Sequence, residues 1–264
     1  MSEPVLLERV ADGVSALTLN RPEKRNALNA PLVEALRAAV ARAATDDAVR
    51  VITLAGAGPD FCAGADLAEL ERVTTEGREA SLRDARSLAG LFAEMRACPR
   101  PIVALVHGRA LAGGCGLATA CDLVLAREDA ELGYPEVHLG FVPALVMTLL
   151  RRKVGEGRAF ELTAVGARHG AREALELGLV NRVYAAGAFE ELAGRYVADL
   201  ASRPPGALAR IKRLLYELDG LSFEEGLERA ALANVEVRAS EECRAGVRAF
   251  LARSAARSRA PGRS

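Results

Sequence analysis

Two short stretches of this 264-residue chain carry the residue types that could act on a carbonyl compound. Glu136 stands between a proline and apolar neighbours, a setting in which a carboxylate can take up and release protons. The glycine-rich stretch 113–116 follows an apolar run, Ile102–Val106, which predicts a buried strand that turns into a closely packed helix. A helix that begins there presents unpaired backbone N–H groups to a developing negative charge. Together these features indicate proton transfer next to a carbonyl group.

The residues around Glu136 offer weaker candidates for the same chemistry. If the segment is extended, His138 lies on the same face as Glu136 two residues away, which makes it the second choice as an acid or base. Cys115 follows the glycines, but nothing near it in the sequence lowers the pKa of a thiol, so a buried structural cysteine is predicted.

Alternating strands and helices precede this region. Val5–Val10 and Val14–Leu19 flank a glycine-containing turn and predict a hairpin. Asn29 is typical of a helix N-cap, with Pro31 in the first turn of a helix that runs to about residue 44. Residues 71–80 are polar and are expected to be mobile, and 81–97 are expected to be helical. We therefore predict an α/β fold for the first part of the chain.

Composition excludes several classes of protein. Half of the residues are hydrophobic, and 35 basic residues balance 35 acidic ones, which argues against a nucleic-acid-binding surface. The five cysteines form no Cys-x-x-Cys pair, so neither a disulfide framework nor a zinc site is indicated, and no metal is predicted. The chain begins without the pattern of a signal peptide, and no apolar run reaches the ~20 residues that span a bilayer. A cytoplasmic protein without membrane partners is expected.

The chain from residue 188 onward is expected to be entirely helical. A junction near 185–187 therefore divides the sequence into a strand-and-helix region, 1–186, and a helical region, 187–264.

Several motifs, taken in order, resemble those of the enoyl-CoA hydratase/isomerase (crotonase) superfamily, and the similarity covers nearly the whole chain. The branch it is most similar to is that of enoyl-CoA and methylglutaconyl-CoA hydratases. The motifs are Asn20-Arg21-Pro22 with Asn26-Ala27-Leu28-Asn29, Phe61 to Leu67, His107-Gly108 with Gly113-Gly114-Cys115, Ala120-Cys121-Asp122, Pro135-Glu136 with Leu139-Gly140, and Ala174 with Gly178-Leu179-Val180.

The resemblance implies a crotonase-like spiral of repeated ββα units, residues 1–186, followed by a C-terminal helical trimerisation region, residues 187–264. It implies a homotrimer or homohexamer that acts on an acyl-CoA thioester. CoA is then part of the substrate, and no separate cofactor is expected.

The resemblance also assigns roles to individual residues. Glu136 is the expected acid and base, and the backbone N–H groups of Ala65 and Gly113 are the expected oxyanion hole. Phe250 and Arg253 look like residues that some family members lend to the CoA site of a neighbouring subunit. Asp66 is expected to cap a helix or hold a loop rather than act as a base. The expected substrate-binding residues are Lys24, Arg25, Ala27, Leu28, Ala63, Gly64, Asp66, Gly114 and Phe250.

The chain departs from the family at two places. The glycine-rich stretch that usually follows the Pro-Glu motif is altered to Phe141 to Val146, a variant that looks like the branch named above. The second departure concerns the catalytic residues of the family's hydratases. They carry two glutamates, and the position of the first is Gly116 in this chain. Three functions follow as alternatives: hydration of a 2-enoyl-CoA, Δ3–Δ2 isomerisation of an enoyl-CoA by Glu136 alone, or acyl-CoA binding without turnover. A simple missing-base interpretation predicts that Gly116→Glu raises hydratase activity if the geometry permits.

Overall fold

The computed structural model describes residues 3–259, in which strands and helices alternate before a helical end. The strands are β1 (Leu6–Ala11), β2 (Val14–Leu19), β3 (Val51–Gly56), β4 (Ile102–Val106), β5 (Arg109–Leu111), β6 (Leu123–Arg127), β7 (Glu131–Gly133), β8 (Arg168–Gly170) and β9 (Arg182–Tyr184). The helices are α1 (Ala30–Thr45), α2 (Leu67–Thr75), α3 (Arg78–Ala97), α4 (Gly113–Ala120), α5 (Ala144–Val154), α6 (Glu156–Val165), α7 (Ala171–Glu176), α8 (Phe189–Ala201), α9 (Pro205–Glu217), α10 (Phe223–Ala239) and α11 (Glu241–Arg259).

These strands form a large and a small sheet. The large sheet has six strands in the order β1-β2-β3-β4-β6-β9, antiparallel between β1 and β2 and parallel elsewhere. The small sheet has the order β5-β7-β8. The chain repeats a ββα unit, in which one strand joins the large sheet, the next joins the small sheet and a helix follows. The two repeats are β4–β5–α4 and β6–β7–α5. The predicted α/β class is confirmed.

The central strands are buried on both faces, which explains their nearly continuous apolar sequences. In β3, Ile52 and Leu54 belong to the larger core with apolar residues of α1, α3 and α4. Val51 points to the opposite face and packs with Phe189 and Val197 of α8. The large sheet therefore has one core on each side.

The structure places the division of the chain later than the predicted junction at residues 186 and 187. The first compact unit ends at Ser202. Helix α8 belongs to it, because Phe189, Ala193 and Val197 of α8 pack on the large sheet. The second unit contains α9, α10 and α11. The described residues after β9 form only helices, as predicted, but the first of them, α8, belongs to the first compact unit.

Other local predictions can be compared directly. The β1–β2 hairpin is confirmed, and Asn29 caps α1 through its side chain, which accepts a hydrogen bond from Leu32 N–H at 3.1 Å. Residues 71–80 are mostly helical, since α2 continues through Thr75 and α3 begins at Arg78.

No helix within residues 3–259 is long and apolar enough to cross a membrane. In the same range, no group of three or more His, Cys, Asp or Glu residues could hold a metal ion.

Candidate active site

The parallel pairing of β5 with β7 brings the two predicted catalytic segments together. Leu111, the last residue of β5, lies opposite Gly133, the last residue of β7. The next N–H, that of Ala112, donates to the carbonyl of Gly133 at 2.9 Å. Gly113 and Glu136 follow these strand ends by two and three residues, so both emerge at the same edge of the small sheet.

Ala112 makes the turn between β5 and α4 in an unfavourable backbone conformation. Its φ of +51° and ψ of −129° lie outside the regions that an alanine ordinarily adopts. A residue held in this way costs about 1–3 kcal/mol, and such residues cluster at functional sites. The turn allows α4 to begin directly at Gly113, whose N–H is therefore at the free end of the helix.

The N–H groups of Ala65 and Gly113 come close to each other. A methyl group built on Gly113 would lie 3.7 Å from the nitrogen of Ala65 and 3.6 Å from Leu28 Cδ1. In the part of the chain that the structure describes, neither N–H has a hydrogen-bond partner. Two free donors on one small space can bind an oxygen that gains negative charge. This geometry fits the oxyanion hole that the resemblance implies.

Both donors line one pocket. Its wall combines predicted residues with residues of α1, α2 and α3: Leu28, Asn29, Ala30, Val33, Ala65, Asp66, Glu69, Leu70, Asp84, Ser87, Leu88 and Gly113. The other residues predicted to bind substrate are not part of this wall; in the first unit they are Lys24, Arg25, Ala27, Ala63, Gly64 and Gly114. Phe250 lies in α11 of the second unit and is 65% exposed. Their binding roles stay predictions.

Gly114 has a packing role that explains the residue type. A methyl group built on it would lie 2.1 Å from the carbonyl oxygen of Cys62. Only glycine therefore lets the first turn of α4 approach the backbone at Cys62, close to the turn that carries Ala65.

Two pocket residues of α3 were missed. Asp84 and Ser87 were read only as part of a helical stretch, 81–97, because the apolar stripe of α3 says nothing about its polar side. Partial burial, and then the charge of Glu69, raise the pKa of Asp84. Such a shift at a pocket is a signal of function that the sequence does not contain.

Arg21 is a further residue that sequence reasoning missed. Its Nη2 lies 2.9 Å from Oδ2 of Asp66, and both side chains are largely buried. The hydrogen bond from Arg21 lowers the pKa of Asp66, which keeps that carboxylate ionised. Asp66 thus holds the loop of Arg21 to the turn that carries Ala65, in agreement with the predicted loop-holding role.

Asn26 was also missed as a functional residue. It is fully buried at a φ of +55°, and its Nδ2 donates to the carbonyls of Ala57 and Asp60, both at 2.8 Å. Its Oδ1 accepts from the N–H of Arg21 at 2.9 Å. Because asparagine tolerates left-handed backbone and bonds to neighbouring backbone, its place in a polar loop was the available signal.

Glu136 is buried and only partly satisfied. Its residue is 8% exposed, and Oε2 has no hydrogen-bond partner among the described residues. Burial raises the pKa of this carboxyl above its ordinary value, and the only opposing influence is its own backbone N–H. A carboxyl group with a raised pKa can act as base and then as acid closer to neutral pH.

The local conformation at Glu136 differs from the extended segment that was predicted. Residues Pro135–Leu139 form a short 3-10 helix, so residues two apart do not share a face. His138 is exposed, and its Nε2 lies 3.2 Å from the carbonyl oxygen of Gly166. The argument that placed His138 beside Glu136 as a second acid or base was therefore wrong.

Cys115 is fully buried in α4, as predicted for a structural thiol. Burial raises its pKa to about 11, which keeps the thiol protonated.

Comparison with known proteins places the chain in a family. The sequence model of the enoyl-CoA hydratase/isomerase family matches residues 9–257. A Thermus thermophilus protein provisionally named an enoyl-CoA hydratase is 46% identical over 237 residues, which are 90% of this chain and 94% of that protein. The 2,3-dehydroadipyl-CoA hydratase of Escherichia coli is 36% identical over 239 residues, 90% of this chain and 92% of that enzyme. A crystal structure of a Mycobacterium smegmatis enoyl-CoA hydratase has a TM-score of 0.90 at 33% identity, covering 95% of this chain and 97% of that one.

The chain belongs to the enoyl-CoA hydratase/isomerase family. The solved structures also confirm the predicted crotonase-like fold.

For a member of this family, the surroundings of Gly116 are informative. A Cβ atom at this position would lie 2.3 Å from Cγ2 of Val146 and 3.5 Å from its Cβ and Cγ1. Both residues are buried, and valine has no flexible end that could move aside. The side chain of α5 therefore fills the space in which a glutamate would have to start. A glutamate at position 116 does not fit this backbone beside Val146, so the geometric condition of the missing-base prediction is not met.

We predict that Glu136→Gln changes stability in a pH-dependent way. The folded-state pKa of Glu136 is raised, so its favourable contribution is fully present below the ordinary pKa of about 4.3 and is lost as pH rises through the folded-state pKa. Glu136→Gln should therefore raise the free energy of unfolding, relative to the unsubstituted chain, at pH values above the folded-state pKa, with the difference vanishing in acid. Denaturant unfolding at a series of pH values measures this. Glu131→Gln, at an exposed carboxylate of β7, is the control, and a difference that does not vary with pH would contradict the prediction.

A second prediction concerns the contact between Gly116 and Val146. Gly116→Ala alone should lower the free energy of unfolding, because its methyl group overlaps Val146, and Val146→Ala alone should lower it by about 1–3 kcal/mol through a cavity. The double variant should be more stable than the sum of both losses, with a coupling of about 0.5–3 kcal/mol. Unfolding free energies of the four proteins measure this coupling, and additive losses would show that the contact is absent.

Proposed function

We propose that the chain is an acyl-CoA enzyme that hydrates a 2-enoyl-CoA or dehydrates the 3-hydroxyacyl-CoA. The observation that supports it best is the pair of free N–H groups, at Ala65 and Gly113, on the same sheet edge as the buried carboxyl of Glu136. The names of the relatives, which include hydratases of 2-enoyl-CoA thioesters, favour this reaction over others that use an enolate.

The proposed reaction uses Glu136 for both proton transfers. Its carboxylate takes a proton from water while the water oxygen bonds to C3 of the enoyl thioester. The π electrons of the C2–C3 bond move toward the thioester oxygen, and the resulting enolate is held by the N–H groups of Ala65 and Gly113. One such donor is worth roughly 3 kcal/mol of transition-state stabilisation. The protonated carboxyl then gives its proton to C2, which restores the thioester and regenerates the carboxylate. The net reaction adds one water molecule across the C2–C3 bond, so the proposal includes no cofactor beyond the CoA of the substrate.

Isomerisation of a 3-enoyl-CoA to a 2-enoyl-CoA is the second candidate, and the contact between Val146 and Gly116 favours it. That contact excludes a second carboxylate at position 116, and isomerisation requires only one. Glu136 would remove a proton from C2 and return it to C4, with the same enolate between the two steps. A third possibility, acyl-CoA binding without turnover, has the same binding surface but no chemistry.

One experiment distinguishes these functions. The purified full chain is incubated with a 2-enoyl-CoA and a 3-enoyl-CoA of equal length, and both products are followed. We expect water addition to the first. A double-bond shift without hydration would instead establish the isomerase, and binding without either product would establish the non-catalytic homologue.

Glu136→Gln tests the catalytic residue in the same assay. The substitution should lower kcat by about 10²–10⁴-fold, because an amide cannot transfer a proton, while binding of the acyl-CoA persists. Glu131→Gln should keep full activity. Unchanged turnover in Glu136→Gln would refute the assignment of Glu136.

We further propose that the second unit joins copies of the chain into a homotrimer or a homohexamer. Its helices expose many large apolar side chains. Ile211 and Leu215, one turn apart on α9, are 64% and 62% exposed, and Phe223 is 76% exposed. Apolar surface of this extent is typical of surfaces that pack against another protein. The family resemblance supports a second copy of the chain as the partner.

Solution mass tests this assembly. Light scattering should give three or six times the chain mass of 27.9 kDa. Ile211→Asp together with Leu215→Asp should shift the mass toward that of one chain, because a charge in an apolar interface is unfavourable. Leu82→Asp, at an exposed leucine of the first unit, is the control. A single-chain mass for the unsubstituted protein would refute the proposal.

A further inference from the structure

The C-terminal end of α4, opposite the end that carries Gly113, is held by a lysine. Nζ of Lys153, in the last turn of α5, donates to the carbonyls of Thr119 and Cys121, each at 3.0 Å. These carbonyls are among those that an α-helix leaves unpaired at its C-terminus. The compact ammonium group, with three donors, can serve two of them at once.

Burial of an ammonium group at the end of a helix is energetically unfavourable, because the charge loses its hydration. Burial lowers the pKa of Lys153, which shows that its surroundings disfavour the charge. The groups with opposing influence are Cys121, Asp122 and Cys115, of which only Asp122 is a carboxylate. The Asp122 carboxylate also accepts from the N–H of Ile102 at 2.7 Å, so it is fixed to the start of β4. A residue that only filled this space could be apolar.

The same helix is held at its middle by a buried polar cluster. The hydroxyl of Tyr134 lies 2.6 Å from Oγ1 of Thr119, and its influence lowers the pKa of the Cys115 thiol, against the larger effect of burial. Cys115 and Thr119 are four residues apart and so lie on one face of α4. Tyr134 is fully buried and precedes Glu136 by two residues. This cluster therefore joins α4 directly to the segment that carries the acid/base residue.

Val146 of α5 adds an apolar contact between α4 and α5, since it packs on Gly116 of α4. Helix α5 thus contacts α4 both at Gly116 and at its C-terminal carbonyls. Helix α4 has only eight residues, about 12 Å at 1.5 Å per residue, so its two ends are joined by two turns of helix. We therefore expect a shift at its C-terminus to displace the N–H of Gly113.

We infer that Lys153 and Tyr134 are positioning residues of the active site, which fix the N–H of Gly113 relative to the carboxyl of Glu136. The inference rests on the proposed enolate chemistry. Neither residue touches the substrate, and each acts through α4. A displacement of about 1 Å in a group that stabilises the transition state can lower the rate by roughly 10²-fold, so small movements of this helix matter.

Lys153→Met tests the inference, since methionine keeps a long stem and lacks the ammonium group. Kinetics of the full chain with a 2-enoyl-CoA should show kcat lowered about 10–100-fold, with KM within about threefold of the value of the unsubstituted chain. Lys153→Arg should restore part of kcat, because it returns a cation and donors. Arg151→Met, at an exposed arginine of the same helix, should leave both constants unchanged. All assays are run well below the unfolding temperature of each variant, so that loss of folded protein does not contribute.

A readout without turnover separates positioning from general stability. The carbonyl stretch of an acyl-CoA labelled with ¹³C at the thioester carbon is measured by difference infrared spectroscopy. The unsubstituted chain should lower this frequency, because two N–H donors polarise the bond, and Lys153→Met should return it toward its value in water. If Lys153→Met does not fold, Tyr134→Phe provides the same test, since it removes a single hydroxyl.

The outcomes are distinct. Normal polarisation and normal kcat in a folded Lys153→Met or Tyr134→Phe would overturn the positioning role and leave the proposed function intact. Absence of polarisation in the unsubstituted chain would overturn both. Lowered stability with unchanged kcat and frequency would show that the two residues are structural only.

Discussion

The register between β5 and β7 is the constraint on which the rest of the site depends. Each strand has only three residues, and the pairing of Leu111 with Gly133 fixes where both polypeptide segments leave the small sheet. A slip of one residue would turn the following side chains to the opposite face. Gly113 and Glu136 therefore emerge at the same edge because of backbone hydrogen bonds rather than any contact between their own side chains. The proposed reaction depends on this register, since it requires Gly113 and Glu136 to reach one thioester.

The site stores unfavourable energy that the surrounding core must offset. Ala112 holds a conformation that is unusual for alanine, and the Glu136 carboxyl is buried with one oxygen unpaired. The N–H groups of Ala65 and Gly113, which have no hydrogen-bond partner within residues 3–259, add to this. The free-energy cost of each feature is small beside the stabilisation from apolar burial in the two cores on either side of the large sheet. Such local features are expected where a protein prepares donors and a carboxyl for a charge that appears only during reaction.

Sequence reasoning succeeded where short-range patterns or motif order decide the outcome. The cap at Asn29, the hairpin and the buried strand before the glycines follow from neighbouring residues, and the resemblance supplied the family. The failures concern contacts distant in sequence. Packing of α8 on the sheet moved the division of the chain to Ser202, and a 3-10 helix at Glu136 replaced an extended segment. The overlap of Val146 with position 116 depends on how two helices cross, which no local pattern contains.

The contact between Gly116 and Val146 also constrains how this site could have arisen or could change. The two positions are epistatic, since a larger residue at 116 is acceptable only after the residue at 146 has become smaller. A lineage that gains a carboxylate at 116 must first pass through a chain with a small residue at both positions and an unfilled space between α4 and α5. A lineage that loses the carboxylate can fill that space with valine and regain packing. Filling the space restores packing, whereas emptying it leaves a cavity, so loss of a large side chain at position 116 is energetically easier than its gain.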